Sequence, residues 1–422
     1  MCSYSLLTLA VEKMEWDWGK NLGPHRKSPN HSVLFQKFNQ KGIPRYYCEL
    51  DDDNDTLLEE VVSGFSATIG SIKKRLDLLG YTLTSINKLF TESVSEWAMY
   101  GGTEIKLSYD TFYKVIFNLN ISDINSAEKA VEFEANGFDD GEYVKNCVFY
   151  NSKIIEELLS DYEPFDDFSR TVAEDEISAF LEVLHPYVAL RIFAENQNNS
   201  CLELKWMPQN ELGDFCDCKD INVGCPEDKK ILIVTEGPTD TMVLSKAIAH
   251  IEPSLSDFFR FIDMKKKYPF GGTGQLENFC RGLISINVLN NILVILDNDT
   301  AGVKTYDVLY QLNKPNNLVI TKLPDNPLFS NVQTIGPQGY SSEDINGKAV
   351  SIECFLDFSS VSPSPLFRWT SYDNKVNKYQ GVIENKSAYT DAFEQCNLKT
   401  AQYDITKLKL LIKHIYDTWV NH

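Results

Sequence analysis

Between residues 229 and 323, short unbroken apolar runs alternate with stretches of helical period. The runs predict strands at 231–235, 259–263, 291–296 and 317–322, and the stretches between them predict helices at 239–250, 274–286 and 300–312. Apolar strands without polar alternation belong to sheets covered on both faces, and strand–helix alternation at this spacing predicts βαβ units with parallel strands. Upstream the pattern is weaker. Asp55-Thr-Leu-Leu-Glu59 predicts a helix start capped by Asp55. Ile69, Ile72, Leu76 and Leu79 predict a helix closing on Gly80. Ser152–Leu159 and Glu174–Ala194 carry helical spacing, Leu202–Trp206 alternates like a strand, and 210–230 is a polar linker. Near the C-terminus, Leu408, Leu411, Ile412, Ile415 and Trp419 fall on one face of a final helix.

The pattern gives an α/β fold class. A central four-stranded parallel sheet with helices on both faces follows a mainly helical or α+β N-terminal region and precedes a small C-terminal region. The expected domains are 1–98, 99–228, 229–325 and 326–422. With 422 residues, several domains are expected. An apolar fraction of 43% and a charged fraction of 24% fit a soluble globular protein. No apolar run has the length of a membrane span, and the start of the chain lacks the basic-then-apolar order of a secretory signal. Ten scattered cysteines fit reduced thiols, so a cytoplasmic location is expected and no membrane partner is. Cys216, Cys218 and Cys225 lack a nearby histidine and make a poor zinc site. The formal net charge of −20 opposes bulk attraction to nucleic acid. Residues 366–422 differ, with eight Lys/Arg against six Asp/Glu.

The candidate chemistry sits where the apolar runs end. Ile231–Thr235 runs into Glu236-Gly237, and Ile292–Leu296 runs into Asp297-Asn-Asp299. Ligands of open α/β sheets bind at the carboxyl ends of strands. Glu236, Asp297 and Asp299 would meet there, and clustered carboxylates suit Mg²⁺ or Mn²⁺. Asp240, in the first turn of the next helix, is either a further ligand or a partner of the helix dipole. Asp299 on its own could simply cap a helix. Asp344 and Glu353 are candidates for a second metal. Gly237 is expected to allow a sharp turn, and Gly302 to keep the following helix slim. Lys322, Lys348 and Lys378 are candidate contacts to nucleic acid, with Lys386 an alternative. Trp369, Tyr372 and Tyr379 could stack bases, although core packing is the expected role of the tryptophan.

The Glu236-Gly237 turn, the Gly271-Gly272-Thr273-Gly274 loop and the Asp297-x-Asp299 pair resemble the Toprim domain of topoisomerases, bacterial primases and several nucleases. The wider chain resembles the bacterial HEPN/Toprim-associated proteins, through Lys74–Thr82, Leu296–Gly302, Ile345–Glu353 and Tyr379-Gln-Gly381. The resemblance implies a metal-dependent nuclease, with Glu236 as ligand or general acid/base and Asp297 and Asp299 as ligands, and a role in antiphage defence. It implies nucleic acid as partner, with a regulatory protein or homo-oligomer possible. The rival readings are a non-catalytic interaction subunit and a primase-like nucleotidyl transferase. No Walker A sequence is present, so the chain does not carry the ATPase of OLD-family nucleases. HEPN ribonucleases use an Arg-x4–6-His pair. Arg26…His31 has that spacing but lies in a Pro-containing stretch, and the positions at that spacing after Arg191 are Asn196, Gln197 and Asn198. A HEPN-like region here is therefore expected to be non-catalytic.

Overall fold

A computed structural model describes residues 4–9, 14–16, 30–49, 56–99, 105–123, 152–160, 166–210, 215–262, 272–362, 364–399 and 402–422. The chain divides into two compact units, Met1–Gly224 and Cys225–His422.

The first unit has a five-stranded antiparallel sheet in the order β2-β1-β5-β4-β3. Its strands are β1 (Tyr4–Leu9), β2 (Met14–Trp16), β3 (Gln40–Glu49), β4 (Thr56–Thr68) and β5 (Glu203–Gln209). The helix expected from Asp55 is not formed. Thr56–Thr68 is instead a strand laddered to β3 along ten residue pairs. Long-range pairing and the β-branched Val61 and Val62 outweigh the local capping signal. The expected helix after it does form, as α1 (Ile69–Leu78), and Gly80 takes a positive φ of 95° just beyond it. Among the described residues, helices α2 (Leu83–Met99), α3 (Tyr109–Asn118), α4 (Ser152–Leu158), α5 (Asp167–Val183) and α6 (Pro186–Phe193) follow. The single expected helix over Glu174–Ala194 is thus two, because Pro186 starts a new helix at its N-terminus and holds His185 out of helical geometry. The core joins Phe65, Phe90, Phe112, Phe180, Phe193 and Trp206, with Trp206 stacked on Phe65 at 5.5 Å.

Buried polar groups of this unit serve structure. Arg191 donates to Asp77 at 2.7 Å and pairs with Glu195. His31 is buried, 3.2 Å from the Tyr187 hydroxyl, and burial, helped by His185, lowers its pKa to about 3. Neither is an exposed basic pair for RNA cleavage. Arg26 lies outside the described residues.

The second unit is built on a four-stranded, wholly parallel sheet in the order β10-β8-β6-β7. Its strands are β6 (Ile231–Thr235), β7 (Phe259–Phe261), β8 (Asn291–Leu296) and β10 (Leu318–Lys322), within two residues of the pattern-based bounds. Crossover helices α7 (Pro238–Ile251), α8 (Thr273–Ser285) and α9 (Thr300–Tyr310) link them. With right-handed crossovers, moving outward from β6 to β7 and back to β8 puts α7 on one face and α8 and α9 on the other. The packing agrees: α8 meets α9, while α7 meets α10 (Lys386–Gln395) and α11 (Thr406–Val420). Val234, Ile292, Val294, Leu318 and Ile320 form the sheet's core with Leu276 and Leu309.

The C-terminal residues carry more structure than the pattern suggests. A second sheet runs β12-β11-β14-β15, with β11 (Val332–Gly336), β12 (Gly339–Glu343), β14 (Phe367–Asp373) and β15 (Lys378–Ile383). A short pair joins β9 (Asn298–Asp299) to β13 (Ala349–Val350). Helix α11 buries Leu408, Leu411, Ile412, Ile415 and Trp419, the face expected of it.

Candidate active site

Strands β6 and β8 are neighbours in register, so their carboxyl ends stop side by side. Glu236 follows β6 and Asp297 follows β8. The Glu236 Oε1 accepts from the Asp297 backbone N–H at 3.0 Å, closing the gap between the two strand ends. Asp240 lies one turn into α7, and its Oδ2 accepts from Gly237 N at 2.9 Å. Gly237 itself is extended, with φ −148°, and a Cβ there would meet only Asp240 Oδ2 at 3.6 Å. The chain bends at Glu236–Gly237 between strand and helix, in a backbone conformation that does not itself demand glycine.

Gly302 is the glycine the site requires. A Cβ at that position would lie 2.1 Å from the Asp297 carbonyl oxygen. Helix α9 can start against the end of β8 only because residue 302 has no side chain. Gly272 caps α8 with φ 97°, a conformation glycine adopts freely, and Gly271 lies outside the described residues.

Along Asp297-Asn298-Asp299 the burial alternates: both acids are half-buried and Asn298 is fully buried. Asn298 donates to Asp325 at 2.6 Å and accepts from Lys322 at 3.0 Å. Asp299 caps α9, its Oδ1 accepting from Gly302 N at 2.7 Å. Its Oδ2 accepts from the Gln380 amide at 2.5 Å. The capping role open to Asp299 in the sequence is thus realised.

The carboxylates raise one another. Burial first, then Asp299, pushes Glu236 up to about 7, against the Asp297 N–H and Lys386. Burial first, then Glu353 and Glu236, pushes Asp240 up to about 7. Asp297 is held well above the usual carboxylate range by burial, then by Asp240, Glu236 and Asp299. Glu353 belongs to the same group. It is buried, accepts from Ser351 Oγ at 2.6 Å, and lies 3.4 Å from the Lys386 ammonium. Asp344 is not among the acids acting on Glu236, Asp240 or Asp297, and its Oδ1 accepts from Asn346 N at 2.9 Å instead.

Lys386, at the first position of α10, is the cation of this cluster. Burial opposes its charge, but Glu353, Asp297 and Asp240 outweigh that and raise its pKa. A lysine at a helix N-terminus faces the positive end of the dipole, an unfavourable local choice. Lys153 and Lys407 also stand in first turns, so the position alone does not single Lys386 out; the buried acids around it do. Nothing in its position singles out Gln380 either. Lys246 on α7 supports the arrangement from the far end of α10, donating to the carbonyls of Phe393, Glu394 and Cys396 at 2.7, 2.8 and 2.7 Å. Of the other lysines, Lys322 is engaged with Asn298 and Asp325. Lys348 donates to the Asp344 carbonyl at 2.9 Å and lies 5.9 Å from the Trp369 ring centroid. Lys378 is exposed at the start of β15.

Residues 1–226 match the HEPN/Toprim N-terminal domain 1 family. The chain belongs to that family. The match spans the first compact unit, and membership suggests a nuclease-related function. No curated protein and no solved structure gives a significant match. The second unit adds a four-stranded parallel α/β sheet of Toprim-like architecture, with the acids at its strand ends.

An all-oxygen donor set of Glu236, Asp240, Asp297, Asp299 and Glu353 suits Mg²⁺ or Mn²⁺. Acids raised by burial and then by one another gain from a cation among them. Among the described residues, no three His, Cys, Asp or Glu side chains stand in ready ligating geometry. Lys386 shares the site with the carboxylates, and Asp299 is already bound by Gln380 and Gly302. Among the described residues, no helix is long and apolar enough to cross a membrane.

Proposed function

We propose that this HEPN/Toprim-family chain is a Mg²⁺- or Mn²⁺-dependent nuclease that hydrolyses phosphodiester bonds. The observation that carries the reading is the join of two parallel strand ends through Glu236 and Asp297, with Asp240 and Glu353 acting on the same group. Asp297, Glu236 and Asp240 would hold the cation, with Asp299 available once Gln380 releases it. Bound there, a divalent cation supplies Lewis-acid polarisation of a phosphodiester and a more acidic water. Glu236, raised to about 7 without a cation, has the affinity for a proton expected of a general base or acid near neutrality wherever it does not itself ligate the metal. Lys386 supplies positive charge beside the acids, where charge on a reacting phosphate would grow. The setting we infer, bacterial antiphage defence in the cytoplasm, rests on the family resemblance.

The test is cleavage by the purified chain of supercoiled plasmid, single-stranded DNA and total RNA, with Mg²⁺, Mn²⁺ or EDTA. Metal-dependent cutting abolished by Glu236→Ala is expected. Cutting in EDTA, or undiminished cutting by the variant, would refute the assignment. The second reading is a subunit that binds without cutting. The commitment of Asp299 to Gln380 and the α9 cap favours it, and it would show as binding without cleavage by the intact chain.

A further inference from the structure

Hairpin β14–β15 is stitched to the acidic segment. Thr300 Oγ1 donates to the Tyr379 carbonyl at 2.7 Å, Ala301 N–H to Gln380 Oε1 at 3.1 Å, and Gly381 N–H to the Lys348 carbonyl at 3.0 Å. The Gln380 side chain meanwhile donates to Asp299. Whatever lies on this hairpin is therefore fixed beside the strand-end carboxylates.

One face of the hairpin is aromatic, and a backbone irregularity makes it so. Residues three apart on a regular strand point to opposite faces. Between Trp369 and Ser371 the register shifts, so Trp369 lies opposite Gly381 and Tyr372 opposite Tyr379. Both rings then share the face of Tyr379 and Gly381. The contacts agree: Trp369 and Tyr379 are 5.8 Å apart, and Tyr372 meets Tyr379 edge-on at 4.9 Å. Trp369 lies flat over two glycines, since a Cβ at Gly381 would come within 2.8 Å of its ring and one at Gly336 within 2.9 Å. Tyr372 and Tyr379 remain 46% and 41% exposed, too open to be core.

The charge nearby runs against that of the chain. Arg368 is paired with Glu384 at 2.5 Å and Glu343 accepts from the Trp369 indole at 3.2 Å, but Asp373 is paired with Lys304, which leaves Lys375 and Lys378 as the cations at the hairpin turn of a protein of net charge −20. Lys348 adds its ammonium above Trp369. Exposed rings with flanking lysines match bases with their phosphates, and a base offers its flat face only when unpaired. We infer that this face is a stacking platform for unpaired bases, so that the strand brought to the carboxylates is single-stranded or locally melted. The inference rests on the nuclease reading for its site and adds the class of substrate.

The experiment is equilibrium binding of fluorescein-labelled oligonucleotides to the full chain in EDTA, which needs no cleavage. Single-stranded DNA and RNA of one sequence are compared with the DNA duplex. At least tenfold tighter binding of a single strand is expected, with a tenfold or greater loss in the double variant Tyr372→Ala/Tyr379→Ala. Tyr379→Phe should keep most of the affinity, because stacking needs the ring and not the hydroxyl. Equal binding of duplex and single strand, no binding of either, or full affinity in the double variant would overturn the platform. A chain that binds single strands here but never cuts them would retain the platform and refute the nuclease. Both tyrosines are exposed, and an unchanged melting temperature in the variants separates lost stacking from lost folding.

Discussion

At the scale of single residues, the site is strained by charge. Glu236, Asp240 and Asp297 all take protons more readily than free carboxylic acids, through burial and through one another. A raised folded-state pKa stabilises the fold below the ordinary carboxylate range, and that stability is lost as pH rises towards 7. Asp297→Asn should therefore stabilise the metal-free protein at pH 8 and have little effect at pH 3, where the carboxyl is protonated folded or unfolded. Thermal melts in EDTA at the two pH values check this, and a variant that melts lower at pH 8 would show that Asp297 is not held against repulsion. Gly302 is the opposite case, a residue whose role is to be absent. Gly302→Ala would drive a methyl into the Asp297 carbonyl and should cost about 2–3 kcal/mol in denaturant unfolding. Unchanged stability would mean that α9 does not start against β8 so closely.

At the scale of elements, the sequence was most readable where apolar runs repeat. The four strands of the parallel sheet follow from unbroken burial, and α1 from its spacing and Gly80. What stayed hidden was non-local. Thr56–Thr68 looks helical at its start because the partner that makes it a strand lies across the β3 ladder. Hairpin β14–β15 carries mostly polar, exposed positions, so its alternation is faint. The site divides likewise. Glu236, Asp297 and Asp299 stand beside obvious strand ends, whereas Lys386 and Gln380 reach the cluster only through folding of the C-terminal residues. Helix α10 depends on Lys246, which satisfies three carbonyls near its end. Lys246→Met should lose about 1–2 kcal/mol, read by chemical denaturation, and an unaltered midpoint would contradict this capping role. In the first unit, His31 is held neutral with a pKa lowered from 6.5 to about 3. The unfolded chain takes up that proton first, so its stability is full above about pH 6.5 and falls with pH towards about 3. The slope is about 1.4 kcal/mol per pH unit. Replacing His31 with phenylalanine should flatten acid unfolding over that window; an identical pH profile would show that the imidazole is not buried uncharged.

At the scale of the whole molecule, the two units differ in what they carry. The first places the chain in its family and holds buried polar pairs that serve its core. The second carries the acids, the lysine among them and the aromatic hairpin beside them. A net charge of −20 repels nucleic acid at long range, so the binding we propose would depend on the local basic stretch and on cations taken up by the carboxylates. The nuclease reading stands or falls on that uptake. Calorimetric titration of Mn²⁺ into the full chain at pH 8 and pH 6, beside Asp297→Ala, tests it most directly. Protons on Glu236 and Asp240 must leave before a cation binds, so affinity should be about tenfold or more weaker at pH 6 and lost in the variant. No Mn²⁺ binding at pH 8, or equal binding by the variant, would contradict the account.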